Sequence, residues 1–348
     1  MFRFFLPQSS DPAERLRLLH DQFDAFTQSD ALQELFSLLH TDADSFRADY
    51  NGRRSTGSVR ETQVLTPAEH LEPLRYQLYP LLSELGFFHI DKPLQPDADH
   101  ILILGGSLNA CHLRANAGKR WITEKTRSVD GLACFRPIHP VEREKSAFAS
   151  AADTEFGAMT DAFCRAYRLD PETARDTFTS DRNLNRISCI RTLSAARPDL
   201  PSVGTEVRSE KLDTRSSRPS GECAYRIFAA PSTQPDQRRA DTGDTLLYYL
   251  QETSPASAAS LLAVTHNRYC NRQFLQLAWY LLKYQQEYRD VSASPEHLDM
   301  PVSLDIIGLY TGGDIPAADQ YDPYQLLQDL IGILDWIDRF RGDADFFA

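Results

Sequence analysis

Long apolar runs are missing from this 348-residue sequence, in which no segment approaches the roughly 18 apolar residues of a membrane span. The opening Met-Phe-Arg-Phe-Phe-Leu-Pro-Gln has too short an apolar stretch for a signal peptide, so a soluble, cytoplasmic protein is expected. Cysteine is scattered: Cys111, Cys134, Cys164, Cys189, Cys223 and Cys270 include no C-x-x-C pair with zinc or redox spacing, which favours reduced thiols over a disulfide framework. Positive charge is in deficit, with 37 Lys and Arg against 49 Asp and Glu, which argues against a surface built broadly for nucleic acid or anionic lipid. A local basic pocket is compatible with that balance. The chain has no G-x-G-x-x-G fingerprint, Walker loop, G-x-S-x-G elbow or H-E-x-x-H helix. Ordinary NAD, P-loop, α/β-hydrolase and zincin assignments fall away with them.

What is present is ordinary globular material, with 42% hydrophobic and 25% charged residues, so wholesale disorder is not expected. Residues 13–39 place Leu16, Leu18, Leu19, Phe23, Phe26, Leu32, Leu35, Phe36 and Leu39 at mixed spacings of three and four, which predicts two amphipathic helices broken near Ser29-Asp30. Residues 42–64 are polar and read as a loop or linker, after which Thr66-Pro67-Ala68-Glu69 starts a helix running to Leu85 before Gly86. From residue 100 onward, strands over 101–104, 132–137, 225–229, 261–265 and 304–310 alternate with helices over 108–117, 154–167, 242–251, 272–288 and 324–340. This alternation predicts an α/β fold, a Rossmann-like mostly parallel sheet flanked by helices over 96–348, preceded by an α-helical N-terminal region over 1–95. Residues 192–221, rich in Ser, Arg and Pro, read as a long surface excursion.

The sharpest signal is His-Ile-Leu-Ile-Leu-Gly-Gly-Ser-Leu-Asn at 100–109, a buried parallel strand that stops on two glycines and opens into a helix. Gly105, Gly106 and Ser107 would turn the backbone sharply and aim N–H groups at a phosphate or carboxylate, with Asn109, His112 and Arg114 in the first turns behind them. A tight turn needed only for packing is the alternative. Thr265-His266-Asn267-Arg268, followed by Arg272, ends a second strand and joins an imidazole to two guanidinium groups that could clamp an oxyanion. Glu155, within Asp153-Thr154-Glu155, either caps a helix or faces the crevice to grip a ligand. Asp241-Thr242-Gly243-Asp244 carries the same ambiguity, and Thr311-Gly312-Gly313-Asp314 is either a ligand loop or a turn. No metal is expected at His139-Pro140-Val141-Glu142, because proline breaks the helical spacing such a pair needs.

In order, these pieces resemble the SanA/ElyC/YdcF-like family over about residues 99–283. The resemblance is carried by Leu104-Gly105-Gly106 at a strand end, Arg114 in the next helix, Glu155 with Met159, Asp241-Thr242 at a turn, and Val264-Thr265 followed by His266, Arg268 and Arg272. Arg136-Pro137 stands where the family has a Ser-Gly turn. What the resemblance implies is a Rossmann-like domain and a nucleotide-like or other anionic small ligand, S-adenosylmethionine among the candidates, with a poorly defined reaction.

The expectation is therefore a protein that binds a nucleotide-like or phosphorylated small molecule, as a hydrolase or transferase, in one electropositive crevice. Gly105, Gly106, Ser107, Asn109, Thr242 and Thr265 would line it, Arg114, Arg268 and Arg272 would neutralise the anion, and His266 or Glu155 would handle protons. The rival reading is a noncatalytic ligand sensor or scaffold. Neither nucleic acid nor membrane is an expected partner, and a homo-oligomer is compatible with the pattern.

Overall fold

The computed structural model describes residues 1–9, 11–50, 69–88, 90–95, 97–195, 223–255, 259–291, 302–309 and 321–343. In chain order these form α1 (Pro12–Thr27), α2 (Asp30–Leu38), α3 (Ala43–Tyr50), α4 (Arg75–Glu84), β1 (His100–Leu104), α5 (Leu108–Gly118), β2 (Ser128–Ala133), α6 (Pro140–Glu144), α7 (Glu155–Tyr167), β3 (Leu169–Thr179), β4 (Ser188–Ala195), β5 (Ala224–Ala229), α8 (Thr242–Thr253), β6 (Ser260–His266), α9 (Cys270–Val291), β7 (Ser303–Leu309) and α10 (Pro323–Gly342). The fold is α/β and Rossmann-like, its strands mostly parallel and flanked by helices.

Two compact units share these elements, one made of Met1–Pro96 with Ser257–Ala348 and the other of Asp97–Ala256. The sequence reading kept 96–348 together. The difference arises because α10 packs on α3 and α4, and Phe340 on α10 meets Phe23 on α1 at 5.3 Å, so the chain's two ends share one core.

Within the Asp97–Ala256 unit the strands run β3-β4-β5-β2-β1. β1, β2 and β5 are parallel, with Leu104 opposite Leu132 and Ala133 opposite Ala229, so their C-terminal ends lie level. β1 is buried from Ile101 to Leu104, as an apolar run covered on both faces should be. β2 starts at Ser128 rather than at 132, which corrects the expected span and leaves Cys134, Phe135, Arg136 and Pro137 beyond the strand. Its polar residues hid it: Asp130 is fully buried, but Arg226 on β5 donates to it at 2.7 Å.

β3 and β4, which the sequence reading did not anticipate, form an antiparallel pair joined to β5. β4 takes up residues 192–195, correcting the start of the expected surface excursion; residues 196–221 lie outside the described residues.

In the other unit, Ser29 caps α2 by accepting from the Leu32 N–H, which places the helix break where it was expected. α3 corrects the first part of the expected 42–64 loop, since Phe46 and Tyr50 anchor one of its faces in the core; residues 51–64 lie outside the described residues. The proposed helix start at 66–68 lies outside them as well. A 3-10 turn over Glu69–Leu74 leads into α4, and Gly86 follows at φ +88°, where a Cβ would collide with the Phe2 carbonyl. β6 and β7 pair in parallel from Ser260–Ser303 to His266–Leu309, while Thr311-Gly312-Gly313-Asp314 lies outside the described residues. Among the described residues no helix is long and apolar enough to cross a membrane.

Candidate functional site

The expected site residues divide between the two units. Gly105, Gly106, Ser107, Asn109, Arg114, Glu155 and Thr242 belong to Asp97–Ala256, whereas Thr265, His266, Arg268 and Arg272 belong to the other unit.

At the ends of β1 and β2, Arg114, Arg136, Glu142 and Glu155 are buried in one cluster. Gly105-Gly106 breaks β1, and Ser107, in extended conformation, caps α5 by accepting from the Ala110 N–H. Arg114 reaches back along α5, its Nη1 donating to the Leu104 carbonyl at 2.9 Å and to the Gly105 carbonyl. Arg136 donates from Nη2 to the Gly106 carbonyl at 2.8 Å and from Nε to Glu155 Oε2 at 3.0 Å. Its guanidinium also grips both oxygens of Glu142, through Nη1 to Oε1 and Nη2 to Oε2. Glu142 Oε2 in turn accepts from the N–H of Leu108, the first residue of α5, at 3.2 Å. The positive end of α5 therefore carries a carboxylate supplied by the chain itself.

Glu155 opens α7 directly behind its cap, Thr154, which accepts from the Gly157 N–H. Burial pushes its carboxyl above the usual carboxylate range, against the pull of Arg136, Arg239 and Arg114. Oε1 has no hydrogen-bond partner among the described residues and lies against Gly105, where a Cβ would overlap it and stand 2.6 Å from the Leu132 carbonyl oxygen. Close approach of the Leu132 carbonyl, a backbone atom that cannot swing aside as the carboxylate can, is what requires glycine here. Cys111 and Cys134 are pushed up to about 12 by burial, so neither is a thiolate nucleophile at neutral pH.

The remaining members of this set are engaged locally. Asn109 Oδ1 accepts from the Ser146 hydroxyl and the Ala147 N–H, both at 3.0 Å, and its amide donates to the Lys145 carbonyl, stapling α5 to that turn. His112 is buried and stacked on Phe148 at 4.5 Å. Thr242 opens α8 behind a capping box in which Asp241 and Asp244 each accept from the other's backbone N–H.

In the other unit, buried Thr265 donates to Gln273 Oε1, and His266 ends β6 with its ring 6.5 Å from that of Tyr269. Arg268 and Arg272 both converge on the fully buried Asp329 of α10, at 3.3 and 2.9 Å. Arg268 also donates to Gln325 at 2.6 Å and lies 4.4 Å over the Tyr269 ring. These arginines neutralise a buried aspartate.

No protein-family model, curated protein or solved structure matches the chain. Among the described residues no group of three or more His, Cys, Asp and Glu side chains is placed to hold a metal ion. The surface groove beside Asp161, Cys164 and Arg165 is not a converging set, because Asp161 is bonded to Ser150 and Arg165 to the Ala149 carbonyl.

Sequence reasoning missed Arg136 and Glu142, the two residues that tie the cluster together. The available signal was an arginine just past a buried strand, followed by Pro137 and then by Pro140-Val141-Glu142, where Pro140 and His139 start a short helix.

Proposed function

We propose that the chain binds a small anionic molecule, nucleotide-like or phosphorylated, at the ends of β1 and β2 in the Asp97–Ala256 unit. The observation that carries this reading is the carboxylate seated at the start of α5: the Arg136 fork and the Leu108 N–H hold Glu142 with donors suited equally to a phosphate or carboxylate group. Arg114 supplies a second buried guanidinium, against the carbonyls of the Gly105 turn. Glu155 is the group available for proton handling, since its raised range moves it toward working pH. A hydrolase or transferase would draw on it. The resemblance to the SanA/ElyC/YdcF-like family supports the ligand class, and six free cysteines suit a cytoplasmic protein.

Thermal-shift screening against nucleotides, S-adenosylmethionine and sugar phosphates tests the reading. Gly106→Asp directs a carboxylate into space where a Cβ already stands 3.0 Å from Ala110 Cβ and 3.2 Å from Arg114 Nη1, and is expected to abolish the ligand-induced shift. An undiminished shift in that variant overturns the proposal. Turnover of the stabilising compound, lost in Glu155→Ala, marks an enzyme; stabilisation without product marks a sensor.

A further inference from the structure

We infer that the outer edge of β3 is a self-pairing surface, on which a second copy of this chain adds its own β3 antiparallel, about a two-fold axis midway between the two copies of Phe178. The inference is independent of the anion-binding reading. β3 is the outermost strand of the sheet in the Asp97–Ala256 unit, and only its first residue, Leu169, is buried. A strand in that position presents backbone N–H and C=O groups to solvent, and proteins guard such edges with proline, charge or a bulge. The first half of β3 carries all three, in Pro171, Glu172 and a register shift between Asp170 and Arg175. The second half is not guarded in this way. From Arg175 to Thr179 the pairing with β4 is regular, and the charge of Asp176 is met by Arg191 of β4, which donates to its two oxygens at 2.8 and 2.6 Å.

This half of the strand is complementary to itself. Among the described residues of the unit, Phe178 and Leu184 are the exposed large hydrophobic side chains, at 55% and 51%, and both belong to the segment from β3 to β4. The Phe178 ring stands edge-on to Phe135 at 6.4 Å, and Phe135 lies 5.2 Å from buried Phe156, so an aromatic row runs out to the sheet edge. Arg175 and Asp181, each three residues from Phe178, are exposed and have no ion-pair partner among the described residues. Antiparallel pairing centred on Phe178, continued through Ser180 to Asp181, sets the two rings opposite each other and Thr177 opposite Thr179. It also sets Arg175 of each copy opposite Asp181 of the other. Alternation along a strand puts residues 175 and 181 on one face and Phe178 on the other, so two ion pairs back one aromatic pair. Centring on Arg175 or Asp176 would instead bring like charges face to face, and centring on Thr177 would set Phe178 against Asp176. A contact made by one strand is small, so dissociation in the micromolar range or above is expected.

Sedimentation velocity of the full chain, across the micromolar to submillimolar range, tests this. Wild type should pass from monomer to dimer, at lower concentration in low salt. Arg175→Asp and Asp181→Arg should each weaken dimerisation by about tenfold or more, since each converts both ion pairs into like-charge contacts. Mixed in equal amounts, the two variants should form a heterodimer as readily as wild type dimerises, because aspartates of one copy then face arginines of the other. Phe178→Lys should weaken the dimer with no such rescue. All three positions are exposed, and an unchanged urea midpoint in monomeric samples confirms the fold of each variant. A wild type that stays monomeric throughout overturns the inference and leaves the edge to a strand from another protein. A dimer that all three variants leave intact lies on another surface, and weakening by both charge variants without recovery in the mixture gives the wrong register; either result overturns the pairing.

Discussion

Each compact unit buries carboxylates and arginines together near a strand end, and the two share the central charge in opposite ways. In Asp97–Ala256 one arginine, Arg136, serves two glutamates; in the other unit one aspartate, Asp329, serves Arg268 and Arg272. The glutamates of the first are also met by a backbone N–H from Leu108 and by the positive charge of Arg114 and Arg239. The surplus positive charge of the second is spread over the face of Tyr269 and onto Gln325. Counting arginines in a sequence therefore gives the wrong idea of where an anion can sit, because their net effect depends on the carboxylates buried with them.

The comparison breaks most easily at its central residues. Arg136→Met leaves two carboxylates buried without their shared cation and should cost about 3–5 kcal/mol, read as a lower urea midpoint with an unchanged slope. Asp329→Asn should cost clearly less, because the side chains of Arg268 and Arg272 keep 13% and 18% exposure and can turn to water. Equal losses would show that the two clusters are energetically alike. Gly105→Ala comes next, at about 1–3 kcal/mol, since its Cβ overlaps Glu155 and nears the Leu132 carbonyl; Gly106→Ala should cost less, its nearest neighbours being 3.0 and 3.2 Å away.

The smallest effect is in pH dependence. A carboxyl held above its usual range in the folded state favours folding while protonated, below its unfolded value, and loses that contribution as pH rises through its folded value. Wild-type stability relative to Glu155→Gln should therefore decline as pH is raised from the acid side toward neutrality, in denaturant melts run at several pH values. A difference that grows with pH would mean that Arg136 outweighs burial.

The legible parts of the molecule were those fixed by local chemistry. Ile101–Leu104 is apolar on both faces, Gly105-Gly106 must turn, and Ser107, Ser29 and Asp241 are caps whose side chains bond within a few residues. β3 was not legible because most of it is exposed, and a strand with little to bury has no alternating apolar pattern to show. β4 was lost in the polar stretch that follows it. Arg136 and Glu142 escaped for a different reason: their pairing depends on a reach across three segments, the ends of β1 and β2 and the start of α5, and no spacing along the chain encodes it. Among the expected site residues, Gly105, Gly106, Arg114 and Glu155 lie together, whereas Asn109 and Thr242 are taken up by a turn and a helix start.

The discontinuous make-up of the first unit has a consequence for synthesis. Helices α1, α3 and α4 leave the ribosome early, yet α10, which packs on them, is translated after the whole of Asp97–Ala256. The intervening segment can complete its own core while Phe23 still waits for Phe340, so nascent chains should pass through a stage with an apolar surface uncovered that invites chaperones.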